Sequence, residues 1–540
     1  MKIRVPAALA AATAAGLALA LSACSGTTAA PSDAAVGASS GASGAGGAAA
    51  TIPLLRVGLD FDLSSLDETK NISANNIDGL SLETLVKFGP QGQVEPDLAA
   101  SWDQTSPVTY VYHLRSGVKF WDGHPLTATD VAYSLNYDRA AGSDVAFSFS
   151  GVKSITAAGP STVTVTLTAP DASWKFVPAE ENAYIFEKQF QQAHASTFGQ
   201  PGTLVMGSGP WVIDSLDPTK GAQVTANPRW WGGKAGIQRI AFTFYASETS
   251  EALAFRAGEI DLDPGISSPK SFAATSGAKL LSTPSCSNGF FGMNVTQPGW
   301  DDVHVRRAVA YALNRPDIIA AYGGYATPIS TLTPPQLLDS VASKSQVTAL
   351  MNSIPLYPYS LAKAKQEMAA SAYPQGFSAT MDIDNYGTDP DVDQVIAAEL
   401  AKIGIKLQLK ELNVTVWQGI ENGPAAKRST AFGGGGCFQP DPNTYSDFLG
   451  SKNLATGGWN FSNYAPAAVD TLLAQGVATS SAPQRFAVYS KLFERLQQDE
   501  PYVGLFVSDT TAALSSKFTW PDFNPWFWDG AFALGIKSAT

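Results

Sequence analysis

The chain has 540 residues, 45% of them hydrophobic and 15% charged, which is enough apolar content for a sizeable core and excludes a disordered chain. Its length suggests two to four domains or lobes. A formal net charge of −12 argues against nucleic acid or anionic lipid headgroups as a principal partner.

At the start, Lys2 and Arg4 precede an uncharged run over 5–21, the pattern of a secretory signal and too short to span a bilayer. The run ends in Leu21-Ser22-Ala23-Cys24, which resembles the lipobox of bacterial lipoproteins. That resemblance implies a signal peptide over 1–23, cleavage before Cys24 and lipid on its sulfur; an ordinary cleaved signal is the alternative. Loss of the signal removes two cations and brings the charge from −12 to −14. Residues 25–50 are Ala, Gly, Ser, Thr and Pro apart from Asp33 and Val36, so 24–50 reads as a lipidated cysteine plus a flexible tether reaching roughly 25–30 Å.

Arg56 to Asp60 alternates as a short strand and leads into Ser65-Leu66-Asp67. IDGLSLETLVKF over 77–88 predicts a helix, and GPQGQVEPDLAASW follows. In 110–137, YVYHLRSGVKFWDGHPLTATDVAYSLNY, Tyr110, Tyr112 and Leu114 alternate as a half-buried strand. Asp122-Gly123 marks a turn, and Thr127 can cap a helix whose third residue is Asp130. STVTVTLT over 161–168 is a second half-buried strand. GSGPW (207–211) and NPRWWGG (227–233) precede a helix over 247–258 that stops at Gly258.

NGFFGMN (288–294) reads as a strand leading from one lobe into another, and 303–314 as a helix. Val392, Val395, Ile396, Leu400 and Ile403 form an apolar stripe ended by Gly404; Ile405, Leu407 and Leu409 then alternate as a strand, giving an α/β layer. Pro483 begins a further helix.

Little in the chain suggests reaction chemistry. The four histidines, His113, His124, His194 and His304, form no zinc-type spacing and read as ordinary surface or strand residues. Gly433 to Gly436 lacks the Lys-Ser/Thr of a phosphate loop, leaving close backbone approach to a ligand or strand, or a loose loop. Ser360-Leu361-Ala362-Lys363 fits S-x-x-K without the companion motifs of that enzyme class. The carboxylate pairs Asp60/Asp62 and Asp382/Asp384 are common strand spacings.

LRSGVKFWDGHPLTATDVAYSL, together with PDLA, GSGPW, NPRWW and EIDL, closely resembles the solute-binding proteins of peptide/nickel-type ABC importers, extracytoplasmic family 5. The resemblance covers nearly all of 51–530 and thins over 327–360 and 413–460. It implies an α/β, bilobed, type II periplasmic-binding-protein fold with an extra inserted domain and hinge strands joining the lobes. Expected boundaries are 51–86, 206–285 and 508–540 for lobe I, 87–205 for the insertion and 286–507 for lobe II. It also implies a monomer outside the cytoplasm, anchored through Cys24 at the outer face of the cell membrane, that delivers a small-molecule or peptide ligand to permease subunits, with no catalytic residue, cofactor, metal or nucleic-acid partner. A sensory module and an oligosaccharide-binding member are the alternatives; a secreted hydrolase lacks a nucleophile–base constellation.

The same resemblance places Phe61, Asp62, Asn385, Tyr386, Trp417, Phe438, Gln439, Asp441 and Trp459 at the ligand pocket. In peptide-binding members the first Asp of D-x-x-D-P grips the ligand ammonium; alignment on Asp441-Pro442 puts Phe438 there. A ring cannot replace a charge-assisted contact, so the familiar reading of free peptide N-termini is not expected, unless an insertion moves Asp441 into the role. Some relatives carry a disulfide between the regions of Cys286 and Cys437, which implies that pairing here; two buried free thiols are the alternative.

Overall fold

The computed structural model describes residues 51–60, 63–71, 75–273, 275–384, 389–421, 423–437, 439–455 and 458–539. Cys24, Phe61, Asp62, Asn385, Tyr386 and Phe438 lie outside them. Among the described residues, no helix is long and apolar enough to cross a membrane.

An eleven-stranded sheet organises the chain. Its order runs Ile405–Leu412, Phe377–Asp384, Ala431–Gly436, Ala278–Met293, Tyr502–Ser515, Leu262–Pro264, Leu55–Leu59, Arg239–Phe244, Gly221–Ala226 and Trp211–Asp217, with Ala326–Pro328 added beside Tyr502–Ser515. A four-stranded antiparallel sheet over Ala99–Leu167 stands apart. The alternation expected at 110–114 holds: Tyr110, Tyr112 and Leu114 are buried and their neighbours half-exposed. Thr127 and Asp130 close a capping box at the start of helix Ala128–Asp138, satisfying donors the first turn leaves unpaired. Gly258, at φ 74°, ends helix Glu248–Ala257 in the left-handed conformation that suits a residue without Cβ.

The expected helix over 77–88 does not form. Helix Asn75–Asp78 stops within one turn, and Val86–Phe88 is a strand. The physical reason is that leucines on every side are buried: Leu80, Leu82 and Leu85 all enter the core, so the segment packs on more than one face. Gly207 and Gly209 also press their backbones against the Ser81 carbonyl, where a Cβ would stand 2.1 and 2.7 Å away.

The apolar core divides into clusters. One joins Ile52–Leu82 to Trp211–Phe244 and Ala512–Ile536; a second lies within Leu85–Ile185; two more use Cys286 to Phe506. Two long strands, Ala278–Met293 and Tyr502–Ser515, run through both sides. Their antiparallel register holds from Ala278–Ser515 to Pro284–Asp509, breaks, and resumes at Asn288–Val507. The break falls where the core changes from one side to the other.

Candidate functional site

A cavity of about 240 Å³ opens beside this register break. Its described lining residues fall between 287 and 508. Strand Phe377–Asp384 runs parallel to Ile405–Leu412 and is joined to it through helix Asp389–Ala401. Such a unit leaves a crevice at the carboxyl ends of its strands. Asp382 and Asp384 sit at that end, and Asp393 comes from the first turns of the helix; all three line the cavity.

The apolar walls are Phe290, Tyr322, Trp417 and Phe506. The rings of Tyr322 and Phe506 lie 4.5 Å apart. The indole of Trp417 donates to the Asp382 carbonyl at 3.2 Å, fixing its plane against the strand end. The four-glycine run is a strand, Ala431–Gly436, paired in register with Asn288 to Met293. A Cβ on Gly434 would meet the Phe290 ring at 2.9 Å, and one on Gly433 would stand 3.2 Å from Asp393 Oδ1. The bare backbone is what admits both groups.

Asp382 is held on two sides. Ser429 donates to Oδ2 at 2.9 Å, and Lys410 Nζ stands 3.3 Å from Oδ1. Nearby, burial pushes the Glu421 carboxyl up to about 6, against the lowering effect of a Ser429 hydrogen bond, with the Asp382 charge raising it further.

Of the residues expected at the pocket, Trp417 lines this cavity, and Gln439, Asp441 and Trp459 do not. Asp441 is fully buried and gives both oxygens to Arg485, at 2.7 and 2.9 Å, while capping the Asn443 amide at 2.9 Å. Burial disfavours the Arg485 charge, but the Asp441 hydrogen bonds and charge outweigh it and raise the guanidinium pKa above its ordinary value. Gln439 donates to Glu180 Oε1 at 2.6 Å, tying segments 259 residues apart. Trp459 packs on Phe448, ring centroids 5.9 Å apart. Cys286 and Cys437 are joined by a disulfide with Cα atoms 5.6 Å apart.

Sequence reasoning missed Asn288, Asp382, Asp384 and Asp393 as cavity residues. The signal was present: an i,i+2 carboxylate pair at the carboxyl end of a strand that feeds a helix. One further group stands away from the cavity: His124 Nδ1 lies 2.8 Å from both Asp122 Oδ2 and Glu187 Oε1. The Glu187 hydrogen bond and the two negative charges raise the imidazole pKa.

Two core regions sharing long strands, with a lined cavity beside the crossing, define a bilobed binding protein of the periplasmic type. Residues 93–456 match the family model described as bacterial extracellular solute-binding proteins, family 5 Middle, and the chain belongs to that family. Among curated proteins, the glutathione-binding protein GsiB of Shigella flexneri is 26% identical over 428 residues, covering 76% of this chain and 80% of the relative. Among solved structures, DppA of Helicobacter pylori, an ABC transporter-associated periplasmic binding protein in complex with peptide STSA, superposes with a TM-score of 0.75 at 23% identity, over 91% of this chain and 99% of that one. The binding protein AgaA in complex with agropinic acid, from A. tumefacien R10, gives 0.73 at 21%, over 90% and 99%.

Proposed function

We propose that the mature chain is the lipid-anchored receptor of an ABC importer, which captures a small peptide-like or opine-sized solute by hinge closure and hands it unaltered to membrane permease subunits. The lobes are 51–86 with 206–285 and 508–540, and 286–507; residues 87–205 are an insertion in the first. The division of the core clusters supports these boundaries. One observation carries the mechanism: Ser287 and Ser508 line the cavity and also sit at the register break of the two shared strands. A solute seated there touches the segment whose backbone angles would change on closure. Closure follows only from tighter binding to the closed form. The Gln439–Glu180 hydrogen bond joins the second lobe to the insertion and acts as a latch of the closed form. The lipid on Cys24 and the following tether hold a monomer beside its permease.

Spin labels on the exposed residues Phe147 and Val416 test closure. Pulsed-dipolar distances should narrow and shorten when solute is added. One unchanged distribution with and without saturating solute would remove hinge closure from the account. Cys24→Ser should move the protein from the membrane fraction to the soluble one, and continued membrane retention would remove the anchor.

A further inference from the structure

We propose that Asp122, His124 and Glu187 form a binding site for one divalent transition-metal ion of the zinc class. None of the three is among the described residues lining the cavity, so the site is separate from solute capture.

Among the described residues, these three form a set of imidazole and carboxylate groups whose ligand atoms all lie within 4.8 Å of one another. His124 Nδ1 stands 2.8 Å from Asp122 Oδ2 and 2.8 Å from Glu187 Oε1. A ring nitrogen carries at most one hydrogen, so it cannot serve both oxygens fully. An ion placed among the three bonds to each of them. Ligand atoms at about 2.0–2.2 Å from a tetrahedral zinc stand roughly 3.3–3.6 Å apart, so the imidazole need draw back by only roughly 0.5–0.8 Å.

The backbone already orients these groups. Gly123, at φ 102°, turns the chain between Asp122 and His124. Asp122 Oδ1 accepts from the His124 amide at 2.9 Å, which leaves Oδ2 facing the imidazole. The Glu187 amide donates to the Met206 carbonyl at 3.0 Å, and the Glu187 carbonyl accepts from the Gln191 amide at 3.0 Å. The Glu187 side chain is 6% exposed, whereas that of His124 is 59% exposed and leaves the ion a route in and room for a water ligand. Charge points the same way. Among the described residues, no Lys or Arg pairs with either carboxylate, and Lys188 lies over the Tyr133 ring instead. One divalent cation cancels the two carboxylate charges beside a neutral imidazole. The nitrogen ligand favours zinc, nickel or copper over calcium or magnesium. Bound there, the ion clips the turn at Gly123 to the start of helix Lys188–Ala193.

The probes are zinc and calcium chloride, titrated by isothermal calorimetry onto the full mature protein, untagged and stripped with a chelator. Zinc should bind saturably at one ion per chain, and calcium at least about tenfold more weakly. His124→Ala and Glu187→Gln should each weaken zinc by about tenfold or more while leaving circular dichroism unchanged. His113 and His304 each face one carboxylate, Asp103 and Glu367, so His113→Ala and His304→Ala should leave zinc affinity as it is. X-ray absorption of the zinc-loaded protein should show one imidazole nitrogen among oxygens at about 2.0–2.2 Å. Zinc should raise the melting temperature of the parent and not that of His124→Ala. No saturable zinc site, zinc bound equally well by His124→Ala, or calcium bound as tightly as zinc would overturn the proposal.

Discussion

The buried pair Asp441–Arg485 allows a sharp prediction about how the region around it is held. Both side chains are within 3% of complete burial, and the carboxylate accepts two guanidinium hydrogen bonds. Arg485 also donates to the Gly476 carbonyl and the Tyr489 hydroxyl. Removing the carboxylate charge by Asp441→Asn strands a buried cation, which costs about 3–5 kcal/mol. At roughly 2.1 cal/mol/K per residue, about 490 residues unfolding together have an unfolding entropy near 1 kcal/mol/K, so the melting temperature should fall by about 3–5 °C. Arg485→Met should cost a similar amount by leaving a buried anion. The double variant Asp441→Asn/Arg485→Met, with no charge left to bury, should lose far less than the sum of the two. Urea unfolding across the double-mutant cycle measures this coupling. Additive losses, or single losses below about 1 kcal/mol, would refute the claim that Asp441 is a structural anchor and reopen a ligand role for it.

Three further outcomes follow from the structure. Cys286→Ser/Cys437→Ser opens a link across 151 residues; the chain-entropy relation puts its upper contribution near 5 kcal/mol, and calorimetry of the oxidised protein against the variant should show a clear drop. Burial pushes the Glu180 carboxyl up to about 8, against the lowering effect of the Gln439 hydrogen bond. Its folded pKa thus exceeds its unfolded one, the folded state binds the extra proton, and stability from this group falls as pH rises from about 4.5 to 8. Glu180→Gln keeps an acceptor for Gln439 and should flatten that fall, making the variant more stable than the parent at pH 8; a steeper or unchanged pH profile of the melting temperature would contradict this. Gly434→Val drives a side chain into the Phe290 ring, should cost about 1–3 kcal/mol by overpacking, and should weaken solute binding; melting and titration together check both.

The parts of the fold that show in the sequence are those where one local rule decides. The alternation at Tyr110–Leu114, the Thr127 cap and the Gly258 stop need only their immediate neighbours. The segment 77–88 needed its surroundings: a helix-like pattern yielded because Leu80 and Leu82 enter one core cluster and Leu85 another, while Gly207 and Gly209 press against the Ser81 carbonyl. The candidate site divides the same way. Trp417 was legible from family resemblance, while Asp382 and Asp384 looked like an ordinary strand pair until the helix carrying Asp393 folded against them. Asp441 was expected at the pocket from the resemblance; its pairing with Arg485, 44 positions away, was not legible because sequence spacing at that distance says nothing about contact. The glycine run gains its meaning only opposite Phe290 and Asp393.

The central claim is capture without conversion, and native mass spectrometry of the mature protein with its co-purified solute tests it most directly. One solute should be bound per chain, be released on unfolding, and keep its mass after prolonged incubation with excess protein. A solute whose mass changes during that incubation, or a protein that never holds a stoichiometric guest, would contradict it.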